Sequence, residues 1–148
     1  MMEKQDKQSE GLKLLKDIRT INRQIEELQE LIDAVYTSLT NATVKPKEIQ
    51  VQTSLPADPM ADKVAMVVEY QKTLEDYQLS LVEKQMMAIK IIQQMTIEYQ
   101  HLLHLRYFKG WSIEAIGDNV GYTYRWAWEK IHLAEKEFIS LYEKANDV

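Results

Sequence analysis

The sequence predicts an all-α protein. Long stretches carry apolar residues at alternating spacings of three and four, the period of a helix with one buried face. Glycine and proline, which interrupt helices, number only 4 and 3 among 148 residues. The last third instead contains a short helical pattern, a glycine-containing turn and a longer helical pattern. We therefore expect a long heptad-patterned helical hairpin or coiled coil, followed by a C-terminal helix-turn-helix domain.

Composition excludes several classes of function. The chain lacks cysteine, which rules out disulfides and thiolate chemistry and fits a reducing compartment. The polar start Met1–Lys7 precedes no apolar segment, so we expect neither a signal peptide nor a membrane partner, and a cytoplasmic location. No phosphate-binding loop, nucleophile motif or zinc-type spacing occurs. We therefore expect no enzyme, no cofactor and no metal.

The first long helix is predicted over residues 11–39, where the apolar residues form an unbroken heptad seam. Charged residues separate them, so the helix must bury this one narrow stripe against another helix. We predict that the seam mediates assembly into a homodimer or a higher homo-oligomer. Its members are Leu14, Ile18, Ile21, Ile25, Leu28, Ile32, Val35 and Leu39.

The second long helix follows a linker predicted at about residues 40–58, where prolines break the pattern. Asp58 or Asp62 is suited to cap it, and we expect it to continue without a break towards Glu98. The two seams predict either an antiparallel hairpin within one chain or pairing between two chains. We expect residues 1–95 to form one helical region. The second seam comprises Val67, Tyr70, Leu74, Tyr77, Leu81, Ala88, Ile91 and Met95, with Lys84 as one lapse.

The C-terminal region, residues 96–148, carries the signals of two helices joined by a tight turn. Lys109-Gly110 ends a preceding helix, and Ser112 caps the first helix of the pair. Gly117 supplies the small residue needed where the second helix crosses, Gly121 serves the turn, and Thr123 caps the second helix. The apolar positions of the small core are Ile116, Val120, Tyr122 and Ala127, with Ile131 replacing Lys130.

This region resembles a known family. The run Leu105–Gly117, followed by Gly121-Tyr122-Thr123, resembles region 4 of bacterial sigma factors. It is more closely similar to the ArpU-like late-transcription regulators of Gram-positive phages and prophages. The resemblance covers about residues 96–142. It implies a phage-type DNA-binding transcription regulator whose recognition helix begins at Thr123, with double-stranded DNA and RNA polymerase as partners.

The helical period separates a buried stripe from a candidate DNA-binding face. Ala127, Ile131, Ala134, Phe138 and Leu141 fall on one side of the last helix. We expect Arg125 on the opposite side to contact a guanine edge or a phosphate, and Glu129 to accept from cytosine. The full predicted DNA-binding set is Thr123, Tyr124, Arg125, Trp126, Trp128, Glu129, His132, Lys109 and Lys130.

Charge argues against DNA and keeps two alternatives open. The net charge is −5, and residues 96–148 carry 8 acidic and 6 basic side chains. One alternative is a helix-turn-helix fold that binds protein, either RNA polymerase or a host factor. The other is a structural or DNA-packaging subunit of the small-terminase type, although its DNA-binding unit would be expected at the N-terminus. His101 and His104 are three residues apart, but no evident carboxylate set completes a metal site.

Overall fold

A computed structural model describes residues 2–43 and 59–147, and all regular secondary structure within these ranges is helical. The prediction of an all-α protein is therefore confirmed. A π-helical turn, His104–Phe108, follows α3 directly. The α-helices are α1 (Met2–Thr43), α2 (Pro59–Ile92), α3 (Ile97–Leu103), α4 (Ile113–Val120) and α5 (Tyr124–Asn146).

The predicted linker is shorter at its start than expected, because residues 40–43 still belong to α1. The rest of that linker, including the candidate cap Asp58, lies outside the described residues. Helix α2 begins at Pro59, where proline is tolerated because the first helical residue needs no hydrogen-bonded N–H. In the described ranges, each helix is too polar or too short to span a lipid bilayer.

The chain divides into two compact units, and both long helices contribute residues to each. One unit comprises Met1–Arg23 with Ser80–Val148, and the other comprises Gln24–Leu79. This division differs from the boundary predicted between residues 95 and 96. The physical reason is that the start of α1 and the end of α2 share a buried core with α5, so they belong with the C-terminal helices.

In the unit formed by Gln24–Leu79, the two predicted seams pack against each other within one chain. Leu28, Ile32 and Val67 are its buried apolar residues. Near the other end of the same pair, the Lys63 ammonium donates a 2.5 Å hydrogen bond to the Ser38 hydroxyl. Residues earlier in α1 contact residues later in α2, so the two helices run antiparallel. The partly buried side chains around this core are Val35, Tyr70, Leu74 and Tyr77.

The other unit contains the larger core, which joins α1 and α2 to α3, the π turn and α5. Lys84, the lapse in the second seam, lies at the edge of this core. Its ammonium pairs with the Asp17 carboxylate at 3.5 Å, and both side chains are about one-third exposed. Leu15, which is not a seam position, is fully buried beside its seam neighbour. The buried residues are Leu14, Leu15, Ile18, Ala88, Ile91, Ile92, Met95, Leu103, Tyr107, Ala134 and Phe138.

The seam predicted to mediate oligomerisation is therefore used inside the chain. Its apolar surface is removed from water by the protein's own helices, and this leaves little of it for a second copy. Leu14, Ile18, Leu28 and Ile32 are buried, whereas Ile21, Ile25 and Val35 are partly buried.

Helix α2 ends at Ile92 and does not continue towards Glu98. Two short hydrogen bonds, from the Gln94 and Met95 N–H groups to the carbonyls of Ile91 and Ile92, close a tight turn at 3.0 and 2.9 Å. The Gln100 side-chain amide then donates to the Met95 carbonyl at 2.8 Å. Met95 is buried in the same core as Leu103 of α3, so the chain turns here without a glycine or proline.

The π turn lets neighbouring residues serve two different cores. Leu105 is buried with Ile116 and Ile131 between α4 and α5, whereas Tyr107 is buried in the larger core. The turn ends where the Lys109 N–H bonds to the His104 carbonyl at 2.9 Å, a five-residue step. Gly110 follows with φ of 75°, which confirms the predicted termination at Lys109-Gly110.

Candidate nucleic-acid interface

Helix α4 begins and ends as its sequence predicts. The Ser112 hydroxyl accepts a 3.1 Å hydrogen bond from the Ala115 N–H, so this side chain satisfies one of the free donors at the helix start. Gly121 ends the helix in the left-handed region, with φ of 80°. The next N–H, of Tyr122, bonds to the Gly117 carbonyl at 2.9 Å and closes the turn.

Gly117 is buried where the chain leaves α4 for α5. A Cβ atom placed there would lie 3.1 Å from the carbonyl oxygen of Tyr122 and 3.3 Å from that of Thr123. Any side chain would have to displace backbone at this point. The predicted requirement for a small residue is thus confirmed by the backbone of the turn.

Helix α5 presents two distinct faces. The Thr123 hydroxyl accepts a 3.1 Å hydrogen bond from the Trp126 N–H and caps the helix as predicted. The predicted buried stripe is confirmed: Ala127, Ile131, Ala134 and Phe138 are at most 1% exposed, and Leu141 is partly buried. Ile131 fills the position that Lys130 leaves empty in the apolar pattern.

The opposite face of the first two turns of α5 lies in solvent. Tyr124 is 56% exposed and Trp128 is 44% exposed. The Arg125 side chain is 88% exposed, and its Nε lies 3.2 Å from a carboxylate oxygen of Glu129, one turn later. The two residues predicted to contact bases thus pair with each other in the free chain.

The other aromatic residues at the start of α5 are held by their neighbours. Tyr122 and Trp126 are stacked, with ring centroids 4.1 Å apart, and the Lys130 ammonium lies 6.0 Å from the Trp126 ring. Tyr122 is 57% exposed, so the prediction that it belongs to the small core is wrong. Its ring stacks on Trp126 outside that core.

His132 is paired with Trp128. Their ring centroids lie 3.9 Å apart, and the His132 Nδ1 is 2.9 Å from the Trp128 carbonyl oxygen. This arrangement fixes the orientation of both rings on the exposed side of α5. It leaves the indole and the free edge of the imidazole as candidate contact groups.

The loop before α4 is held by two arginines and an asparagine. The Arg106 guanidinium donates to the Trp111 carbonyl at 3.0 Å, and the Arg19 guanidinium lies 3.4 Å from the Gly110 carbonyl oxygen. Asn22 donates a 2.7 Å hydrogen bond to the Phe108 carbonyl. No sequence pattern connects Arg19 and Asn22 of α1 with a loop more than eighty residues away.

Lys109 lies in the same loop, as an exposed residue. Its ammonium is 5.5 Å from the centre of the Trp111 ring. Below the loop, the buried Tyr107 hydroxyl donates to a Glu135 carboxylate oxygen. Burial, followed by the hydrogen bond to Glu135 and the charge of that carboxylate, raises the pKa of Tyr107 well above its ordinary value.

His101 and His104 line an apolar groove of about 500 Å³ with Ile89, Ile97 and Phe108 among its other residues. Burial, and then the positive charges of Lys109 and His101, lower the pKa of His104. Within residues 10–41 and 59–147, no three acidic or histidine side chains converge in a way that could hold a metal ion.

The chain matches no protein-family model, no curated protein and no solved structure. The resemblance to sigma-factor region 4 and to ArpU-like regulators therefore remains an expectation drawn from the residues.

Proposed function

We propose that the protein is a DNA-binding transcriptional regulator of the phage or prophage type. In this proposal α4 and α5 form a helix-turn-helix, and the start of α5 enters the major groove of promoter DNA. One observation carries it: the first two turns of α5 expose Tyr124, Arg125, Trp128 and Glu129, while the other side of that helix is buried. This exposed surface combines an arginine, a carboxylate and two aromatic side chains at the N-terminal end of the helix, which is the end that contacts bases in helix-turn-helix proteins.

Pairing between Arg125 and Glu129 is compatible with base recognition. An exposed ion pair one helical turn apart contributes only about 0.3–0.5 kcal/mol, so DNA can separate the two groups at little cost. Arg125 would then present its planar donors to a guanine edge or a phosphate, and Glu129 would accept from cytosine. Replacing Glu129 by a neutral residue would release Arg125 from the ion pair. It would also remove the repulsion between the Glu129 carboxylate and the DNA phosphates.

The acidic balance of the region predicts how such binding depends on salt. Few cations lie on the exposed side of α5, so few phosphates are neutralised by that helix. We therefore expect a modest loss of affinity as salt rises, and a larger share of base contacts in specific binding.

DNA binding is tested with the purified full chain and duplex DNA from the region upstream of its own gene, at two salt concentrations. Arg125→Ala is expected to lose about 1–3 kcal/mol of specific binding, the usual contribution of one base contact. Lys144→Ala, on the last turn of the same helix, is the matched control and should bind normally. Glu129→Gln should tighten binding to mixed-sequence DNA, with stability changed by less than about 0.5 kcal/mol.

The regulator hypothesis fails if the unaltered chain binds no upstream DNA, or binds all DNA alike and Arg125→Ala changes nothing. A protein-binding role is then the second candidate. It is favoured by the exposed Tyr122, Tyr124 and Trp128 next to Arg125, since aromatic residues and arginine are enriched in protein interfaces. Its test is binding of purified RNA polymerase to the chain and to Trp128→Ala.

A homo-oligomer belongs to the same proposal, because two copies would place two α5 helices on two half-sites. The predicted seam of α1 is used within the chain, so the second copy would use another surface. Val82, Met86 and Ile89 recur at spacings of four and three on α2 and are 49%, 58% and 39% exposed. Met86→Glu is expected to reduce the mass measured by sedimentation equilibrium to that of one chain, and an unchanged mass would exclude this surface.

A further inference from the structure

Four cations lie on the segments that hold the loop before α4 or in the loop itself, and two of them, Arg19 and Arg106, contact its backbone. They are Arg19 and Arg23 of α1, Arg106 of the π turn and Lys109, and we name them the basic cluster. Arg19 and Arg106 approach consecutive carbonyl oxygens, those of Gly110 and Trp111, at 3.4 and 3.0 Å. Burial, followed by the positive charges of Arg106 and Arg23, lowers the pKa of Arg19.

None of the four cations forms an ion pair with a carboxylate of the described residues. Lys84 pairs with Asp17, and Arg125 pairs with Glu129, so these two ion pairs do not involve the cluster. Glu135 lies beside it through its contact with Tyr107 but makes no ion pair with any of the four cations. Positive charges gathered in this way repel one another, and that cost is recovered when an anion joins them.

The donors of the basic cluster are also incompletely used. A guanidinium has five N–H donors, and the described carbonyls engage one nitrogen each of Arg19 and Arg106. The Nε of Arg19 is buried and has no hydrogen-bond partner. That buried atom is out of reach of DNA, but the Arg19 and Arg106 side chains are only partly buried, so the remaining donors on their terminal nitrogens fit the oxygens of a phosphate group, which arginine binds in a bidentate manner.

We propose that the basic cluster binds a backbone phosphate of the DNA whose bases α5 contacts. This inference rests on the proposed function and adds α1 to the DNA-binding surface. The cluster lies at the loop that leads directly to Ser112 and α4, so a phosphate held there would fix the position of the helix pair on the duplex. It also supplies positive charge that the C-terminal region lacks as a whole.

The test measures how affinity for a short mixed-sequence duplex depends on potassium chloride concentration. Arg23 and Lys109 are both exposed, so Arg23→Gln with Lys109→Gln should leave the fold intact. We expect weaker binding at low salt, and a plot of log affinity against log salt that is shallower by about 0.9 for each phosphate that the variant no longer neutralises. Lys90→Gln with Lys144→Gln makes the same change in net charge at two exposed positions outside the cluster, and it should keep the slope of the unaltered chain.

A second variant tests whether binding needs the planar, bidentate guanidinium of Arg19. Arg19→Lys keeps the charge but loses the bidentate donors, so it should reduce affinity while leaving the salt slope unchanged. The proposed function fails if the unaltered chain binds no DNA. The present inference fails, with the proposed function intact, if the unaltered chain binds DNA and Arg23→Gln with Lys109→Gln binds it with the same affinity and slope.

Discussion

The carbonyl oxygen of Tyr122 lies 3.1 Å from the position that a Cβ atom on Gly117 would occupy. The two residues are also joined by a hydrogen bond, from the Tyr122 N–H to the Gly117 carbonyl, at 2.9 Å. The turn between α4 and α5 is therefore built directly on the glycine, and the angle at which α5 leaves the turn depends on it.

Gly117→Ala should destabilise the protein despite the higher helix propensity of alanine. Alanine gains up to about 1 kcal/mol within a helix, but the displaced backbone costs about 1–3 kcal/mol. Gly11→Ala is the matched control, because a Cβ there would meet only the Tyr142 side chain at 3.4 Å. Urea denaturation should find the first variant less stable than the parent and the second equal or more stable. Two variants of equal stability would contradict a close approach at Gly117.

Ile18→Ala should unfold the C-terminal helices more easily, although it lies in α1. Ile18 is fully buried in the core that contains Phe138, so the cavity costs about 2–5 kcal/mol. All three tryptophans lie at or after residue 111, so their fluorescence during urea denaturation reports on that region. If residues 96–148 were stable alone, the tryptophan transition would not move.

Leu31→Ala is the control for this substitution, because Leu31 also lies in α1 but is 50% exposed. Its effect should stay within about 0.5 kcal/mol.

Tyr107→Phe should change the stability of the protein in strong alkali. The folded chain holds the Tyr107 proton more tightly than the unfolded chain, so the stability from this group is complete below about pH 10 and decreases as pH rises above it. The variant should lose about 1–3 kcal/mol at neutral pH, because the Glu135 carboxylate loses its donor. Its free energy of unfolding should then depend less on pH above 10.

Tyr124→Phe serves as the control, since Tyr124 is exposed. If the free energy of unfolding of the parent and of Tyr107→Phe depended on pH in the same way above pH 10, the hydrogen bond to Glu135 would be contradicted.

We expect the pKa of His104 to lie below the ordinary histidine pKa of 6.5. Burial comes first among the causes, and the positive charges of Lys109 and His101 follow. Because the folded pKa is lowered, the contribution of His104 to stability is present above about pH 6.5 and is lost as pH falls below it. In an NMR titration, Lys109→Gln should move the His104 midpoint upward, whereas Lys90→Gln should leave it in place.

The features predictable from sequence are those decided within a few residues. Ser112 and Thr123 act as helix caps because each hydroxyl reaches an N–H three residues later. The buried stripe of α5 follows from its period alone. Gly121 is recognisable because a tight turn requires a positive φ.

Features decided by distant contacts are not visible in the sequence. The end of α2 at Ile92 has no glycine or proline to mark it, and the burial of Leu15 depends on helices that follow much later in the chain. From the sequence, Arg19 and Asn22 are expected to be solvent-exposed, because they are polar residues between the positions of the α1 seam. Their carbonyl partners at Gly110 and Phe108 are free because the helix ends at Phe108, and the last carbonyls of a helix have no partner within it.

The shared core of α1 and α5 has a consequence for synthesis of the protein on the ribosome. Leu15 and Ile18 are made early, but Phe138, which packs in the same core, is made about 120 residues later. At about 5–20 residues per second, these apolar side chains remain without their final partner for about 6–24 s. During that interval we expect Leu15 and Ile18 to be available to chaperones, because the helix that covers them in the folded chain has not yet been made.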